Sequence, residues 1–359
     1  METTSTSTAN EQQGGKKRIV WLDDAKMFAM LCVIFYHCLK YMPADMAGCS
    51  DTIEVITSFN MHLFVVLAGF TSFRALQRIA CWDDYRRYVV KIALHLLVPT
   101  FAIGLLRALL TLDPHAIGNE QWFLKFLFRC LLMFATSCWL VAIASRRLDK
   151  TGSTRINQEY VEIAKYIGFL LLMFCTSKTK LPEFASYFLF GYLVKKYDLT
   201  GMLFRMKSNP RQFNIMLTAI SLAGILTVAC TFGISHSFDF YDYPLGRLSN
   251  DGMLSVFFAR QICGFGWVLF FMPLFFLLSR RYTLFSYWGS KSLGLYIIHT
   301  FLLHIFIEQL PFRFYSGYIG WIEVFTLTMA LTMMSMIIIR LLEQNKYTSF
   351  LFLGNRIGA

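Results

Sequence analysis

Residues 21–41 read WLDDAKMFAMLCVIFYHCLKY: charges at the start, then a run from Met27 in which only His37 can ionise near neutral pH before Lys40. A helix needs about 20 mostly apolar residues to cross roughly 30 Å of hydrocarbon, and this stretch approaches that length. Working outward, comparable blocks recur over 55–76, 88–110, 122–144, 161–176, 182–194, 213–232, 254–278, 284–307 and 318–341. Together they predict an all-α, polytopic transmembrane helical bundle of about ten spans. The blocks at 161–176 and 182–194 are the shortest, and Pro182 offers a place for a broken pair of half-helices. Composition agrees: 56% of the 359 residues are apolar and 16% charged, against about 25% charged in a soluble domain.

Charge orders the spans. The net charge is +12, and the cations fall in alternate connections: Lys16-Lys17-Arg18, Arg74 to Lys91, Arg146-Arg147 to Arg155, Lys195-Lys196 to Arg211, Arg280-Arg281 and the C-terminal tail. The intervening loops hold Asp45, Asp51 and Glu54, and then Asp239, Asp242 and Asp251. By the positive-inside rule the basic loops and both termini face the cytoplasm. A nucleic-acid partner is excluded, since no basic face is interleaved with a recognition element; membrane lipids are the expected surroundings. The nine cysteines form no CxxC pair and lie mostly inside apolar blocks, as small hydrophobes do. Residues 1–17 read as a disordered tail, 18–345 as one transmembrane domain and 346–359 as a short cytoplasmic tail. No small-residue cleavage site follows the first block, which reads as a retained helix.

The first block carries the densest chemistry. Lys26 and His37 are eleven positions apart, about three helical turns with roughly 20° of residual rotation and a rise of about 16 Å. Asp23 falls within about 40° of His37 on the same stripe. A polar line therefore runs from the cytoplasmic mouth into the membrane, where ionisable groups are costly and tend to be functional. Snorkelling of Lys26 and an interhelical hydrogen bond from His37 are the plain structural alternatives.

Asp23-x-x-Lys26-x10-His37 resembles the opening motif of the acyltransferase-3 family, membrane O-acyltransferases of cell-envelope glycans. Further blocks are similar in order: Asn60-Met61-His62-Leu63-Phe64 leading to Ala68-Gly69-Phe70 and Arg74; Tyr88 to Pro99; Gln121-Trp122-Phe123-Leu124; and Ser290 to His299 with Tyr296. The chain departs from the family pattern at Asn60, His62 and Ala68, and Lys91 and His95 stand where Arg is usual. The resemblance implies transfer of an acyl group, acetyl first of all, from acyl-CoA to a hydroxyl of a cell-surface or lipid-linked glycan. It implies a multi-pass protein of the bacterial inner (plasma) membrane. Acetyl-CoA or another acyl-CoA is then a donor substrate, with no cofactor bound permanently and no metal.

That chemistry needs a base for the hydroxyl proton and positive charge for the oxyanion. Imidazole, with an ordinary pKa of about 6.5, is the usual base. His37 is the candidate base, Lys26 the cation, and Asp23 either orients Lys26 or serves as a cap and salt-bridge partner. Arg74 and Arg78, one turn apart, and then Arg86 and Arg87 are either topological charge against lipid headgroups or a cradle for coenzyme A phosphates. Trp122 is an interfacial anchor or a platform for a sugar. His299 and Tyr296 form either a packed pair or part of the substrate site. His62, His304 and the lone carboxylate of Glu183 are weaker candidates. A membrane transporter or exporter of a polysaccharide or small solute is the alternative reading, and it would favour paired broken helices.

Overall fold

The computed structural model describes residues 19–43, 46–112, 121–150, 157–176, 181–205, 209–235, 253–278, 283–309 and 314–355. Expectations for the N-terminal tail, Lys16-Lys17-Arg18, Asp45, Arg155, Asp239, Asp242, Asp251 and Arg280-Arg281 lie outside these residues. Among the described residues the chain is helical, with no strand. In order the helices are α1 (Val20–Leu39), α2 (Cys49–Thr57), α3 (Asn60–Leu76), α4 (Trp82–Thr111), α5 (Trp122–Lys150), α6 (Gln158–Thr176), α7 (Ala185–Lys196) and α8 (Leu199–Arg205). They continue with α9 (Pro210–Ser235), α10 (Met253–Leu278), α11 (Leu284–Gly289), α12 (Ser292–Gln309), α13 (Gly317–Glu343) and α14 (Lys346–Leu353).

Every expected apolar block falls on a helix or a consecutive pair of helical segments. Among the described residues, six helical stretches are both long and apolar enough to cross a membrane: 49–76, 82–111, 122–148, 210–235, 255–278 and 317–343. Their outward faces are apolar. On α13 Ile322, Phe325, Met329, Met333 and Ile337 are all exposed, a stripe that water would penalise and lipid tails accept. The protein is a multi-pass membrane protein.

Two expected spans are broken. The block at 55–76 divides at Ser58-Phe59, where hydroxyls compete with the helix: Ser58 Oγ donates to the Val55 carbonyl at 2.7 Å, and Thr57 Oγ1 to that of Ile53 at 2.9 Å. The block at 284–307 divides at Ser290-Lys291, after a turn begun by a Thr283–Ser286 capping box. Pro182 lies in a 3₁₀ turn, Leu181–Phe184, ahead of α7. With 12 residues, α7 is about 18 Å long and too short to cross alone.

The central element is α1, which touches α2, α3, α10, α11, α12 and α13. Trp21 anchors its start, stacked on Phe276 at 4.5 Å and edge-on to Phe70 at 5.4 Å. A close crossing joins α3 to α7. A Cβ added at Gly69 would overlap the Phe188 carbonyl, and one at Gly191 would overlap that of Val66. The two backbones touch through two glycines, as small residues permit between membrane helices. Basic ends also meet: Arg146 donates to the Ala80 carbonyl at 2.6 Å, and Lys196 joins Lys165 around Glu162 at 2.9 and 2.6 Å.

Candidate functional site

Lys26, nearly two turns into α1, lies 3.4 Å from Asp23, itself buried. The N-cap of α1 is Ile19 and no side chain caps it, so Asp23 acts here as an ion-pair partner. Lys26 lines a cavity of about 380 Å³ among α1, α3, α4, α5 and α12. Its wall is chiefly apolar, including Phe64, Leu67 and Leu127, with Lys91, His95, Ser292 and Tyr296 as polar points. An enclosure of that size and polarity suits a small organic ligand held by a few placed groups.

His37 does not line this cavity; the rings of Tyr296 and His299 stand between them. The Tyr296 ring packs edge-on against His299 at 5.7 Å, and His299 lies 5.5 Å from His37, ring centre to ring centre. His299 is fully buried, and its Nδ1 is 2.8 Å from the Leu295 carbonyl one turn earlier on α12. A carbonyl only accepts, so Nδ1 carries the proton and Nε2 of the neutral ring presents a lone pair. That Nε2 is buried without a hydrogen-bond partner among the described residues. Leaving a buried acceptor unmet costs about 1–3 kcal/mol, so the position is suited to a hydroxyl or N–H donor. His37 is half-buried, and its ring stacks edge-on to Tyr36 at 5.1 Å.

A second, larger cavity of about 1170 Å³ opens along α4. Arg86, Arg87 and Lys91 line it from α4, and Lys91 and His95 line the inner cavity as well, so the two spaces adjoin. Arg87 is partly engaged, donating to Asp84 Oδ1 at 2.8 Å and to the Asp83 carbonyl at 3.2 Å. Arg74 and Arg78 are exposed and line neither space. Thus α4 brings Arg86 and Arg87 to a cavity, whereas the end of α3 leaves Arg74 and Arg78 outside. Trp122 is 40% exposed at the start of α5, edge-on to Phe123 at 6.0 Å and tilted to Phe184 at 6.5 Å.

Some polar residues gain a place that sequence reasoning did not give them. Gln121, quoted only as part of a motif, is buried, and neither end of its amide has a hydrogen-bond partner among the described residues. Arg260 on α10 went unremarked; it is buried, donates through Nε to the Ser235 carbonyl at 2.8 Å, and lines a small pocket with His62, Glu183 and Ser58. The signal for Arg260 was a lone cation inside an apolar block. Among the described residues no group of three or more His, Cys, Asp or Glu is placed to hold a metal ion.

A family model described as an acyltransferase domain matches residues 19–341. Searches of curated proteins and of solved structures found no significant match.

Proposed function

Because the chain belongs to the acyltransferase-3 family and is a membrane acyltransferase, we propose that it moves an acyl group, acetyl in the first instance, from acyl-CoA to a hydroxyl of a cell-surface or lipid-linked glycan, in a bacterial inner membrane. The observation that carries this reading is the imidazole pair His37–His299, one aromatic ring away from a cavity that adjoins a basic vestibule. Coenzyme A enters from the basic side, its phosphates against Arg86, Arg87 and Lys91. The acylated arm extends past Lys91 and His95 into the inner cavity, where Lys26 meets its polar groups, and the thioester lies further on, past Tyr296 toward the His37–His299 pair. Arg74 and Arg78 act at the membrane surface, drawing the anionic donor toward the vestibule.

His37 takes the proton of the acceptor hydroxyl as its oxygen attacks the thioester carbon. The C–O bond forms, and the C–S bond breaks as the tetrahedral oxyanion collapses; Lys26, about three turns nearer the cytoplasmic mouth than His37, acts earlier, as a cation for the incoming donor. The proton then passes from His37 to the departing thiolate, leaving a glycan ester, free coenzyme A and a neutral imidazole. His299 holds the acceptor in line through its Nε2 lone pair. Trp122 stacks on the saccharide at the opposite membrane face.

Purified protein in liposomes, given acetyl-CoA with a labelled acetyl group and an envelope glycan extract, is expected to transfer label to the glycan. Mass spectrometry then finds one acetyl increment per modified residue. Movement of unaltered glycan across the liposome membrane, with no mass change, would replace this reading with that of an exporter.

A further inference from the structure

The family match ends at residue 341, yet the chain beyond it forms part of the vestibule. After α13, Asn345 caps α14 by accepting from the Tyr347 backbone N–H at 2.8 Å, and α14 packs along α4. Gly354 closes α14 with φ +67°, a left-handed conformation that favours glycine. Added bulk there would also overlap the His95 carbonyl. His95 Nδ1 is 2.8 Å from the Gly354 carbonyl and so donates to it. The turn is folded back further: Asn355 donates through Nδ2 to Ser349 Oγ at 2.7 Å and through its backbone N–H to the Ser349 carbonyl at 3.2 Å. These bonds hold Phe350, Gly354 and Asn355 across the 1170 Å³ vestibule from Arg86, Arg87 and Lys91.

The two walls differ in chemistry. On α4, Arg87 and Lys91 stand four residues apart, a pair of cationic donors suited to successive phosphates, while His95 below them is committed to the Gly354 carbonyl. The C-terminal wall offers an aromatic ring and a primary amide. That pair suits a nucleobase, which stacks on the ring and is read along its edge by the amide. Asp83, at the start of α4, also lines the space; its carboxylate does not suit a phosphate and can accept from an exocyclic amine.

We propose that residues Phe350–Asn355 form the base-recognising wall of a nucleotide site whose phosphate wall is α4. The proposal rests on the reading of acyl-CoA as donor. The C-terminal helix is therefore a part of the donor site that selects nucleotide-bearing acyl carriers over bare acyl thioesters.

The test compares acetyl-CoA with acetyl-pantetheine, which carries the same thioester without the nucleotide, in full-length wild type, Phe350→Ala, Asn355→Ala and the double variant. The preference for acetyl-CoA, as a ratio of kcat/KM values, is expected to fall about tenfold in the single variants and further in the double. The loss should reside in KM for acetyl-CoA. An unchanged preference overturns the proposal while leaving the donor reading intact. So does an equal fall with both donors, which marks a structural wall only. Wild type that accepts neither donor overturns the donor reading itself.

Discussion

His299 and His37 are held differently, and the difference divides their roles. His299 is locked by its bond to the Leu295 carbonyl, whereas His37 makes no hydrogen bond among the described residues, so its ring nitrogens are left for a substrate. His37→Gln keeps size and hydrogen bonding but removes the base; acyl transfer is expected to fall about 10²–10⁴-fold while the protein still inserts and stays monodisperse in detergent. Lys26→Arg should retain substantial activity and Lys26→Met should not, because Arg preserves the charge beside Asp23. Glycan acylation at matched membrane abundance measures both. Near-normal transfer by His37→Gln would end the base assignment. The Lys26–His37 stripe was readable from helical periodicity alone, since both residues belong to one element. The pairing of His37 with His299 was not, because it depends on how α1 meets α12. Nor was the exclusion of Arg74 and Arg78 from the cavities, where α3 and α4 carry equally basic ends and only their packing separates them.

At the level of elements, apolar length predicted where helices lie, because a membrane leaves the backbone few alternatives. It did not predict the breaks at Ser58-Phe59 and Ser290-Lys291, where local hydroxyl bonds compete with an otherwise continuous apolar run. It also passed over α14, since a short helix lying on α4 needs no spanning length. The α3–α7 contact depends on the absence of two side chains. Gly69→Ala and Gly191→Ala must each push one backbone off the other, at a cost of about 1–3 kcal/mol, and are expected to lower the thermal midpoint in detergent. Gly233→Ala is the control, since a Cβ there meets nothing within 4 Å. Equal midpoints for all three would show that the crossing adapts freely.

For the whole molecule, orientation decides from which compartment the donor comes. A cysteine at Asp51, exposed on α2, should react with an impermeant thiol reagent applied outside intact cells, and one at Arg147 should not, with the nine native cysteines replaced. The reverse pattern inverts the bundle and puts the vestibule outside. The notch at Gly69 bears on assembly as well. Since α7 follows α3 by more than a hundred residues, α3 enters the bilayer before its partner exists. Until α7 arrives, the groove over Gly69 is occupied by acyl tails of the surrounding lipid. Docking of α7 returns those tails to the bulk bilayer, a gain in lipid entropy that favours the pair although no water leaves it. Bilayer composition, through the order of its tails, thereby enters the folding equilibrium of the protein.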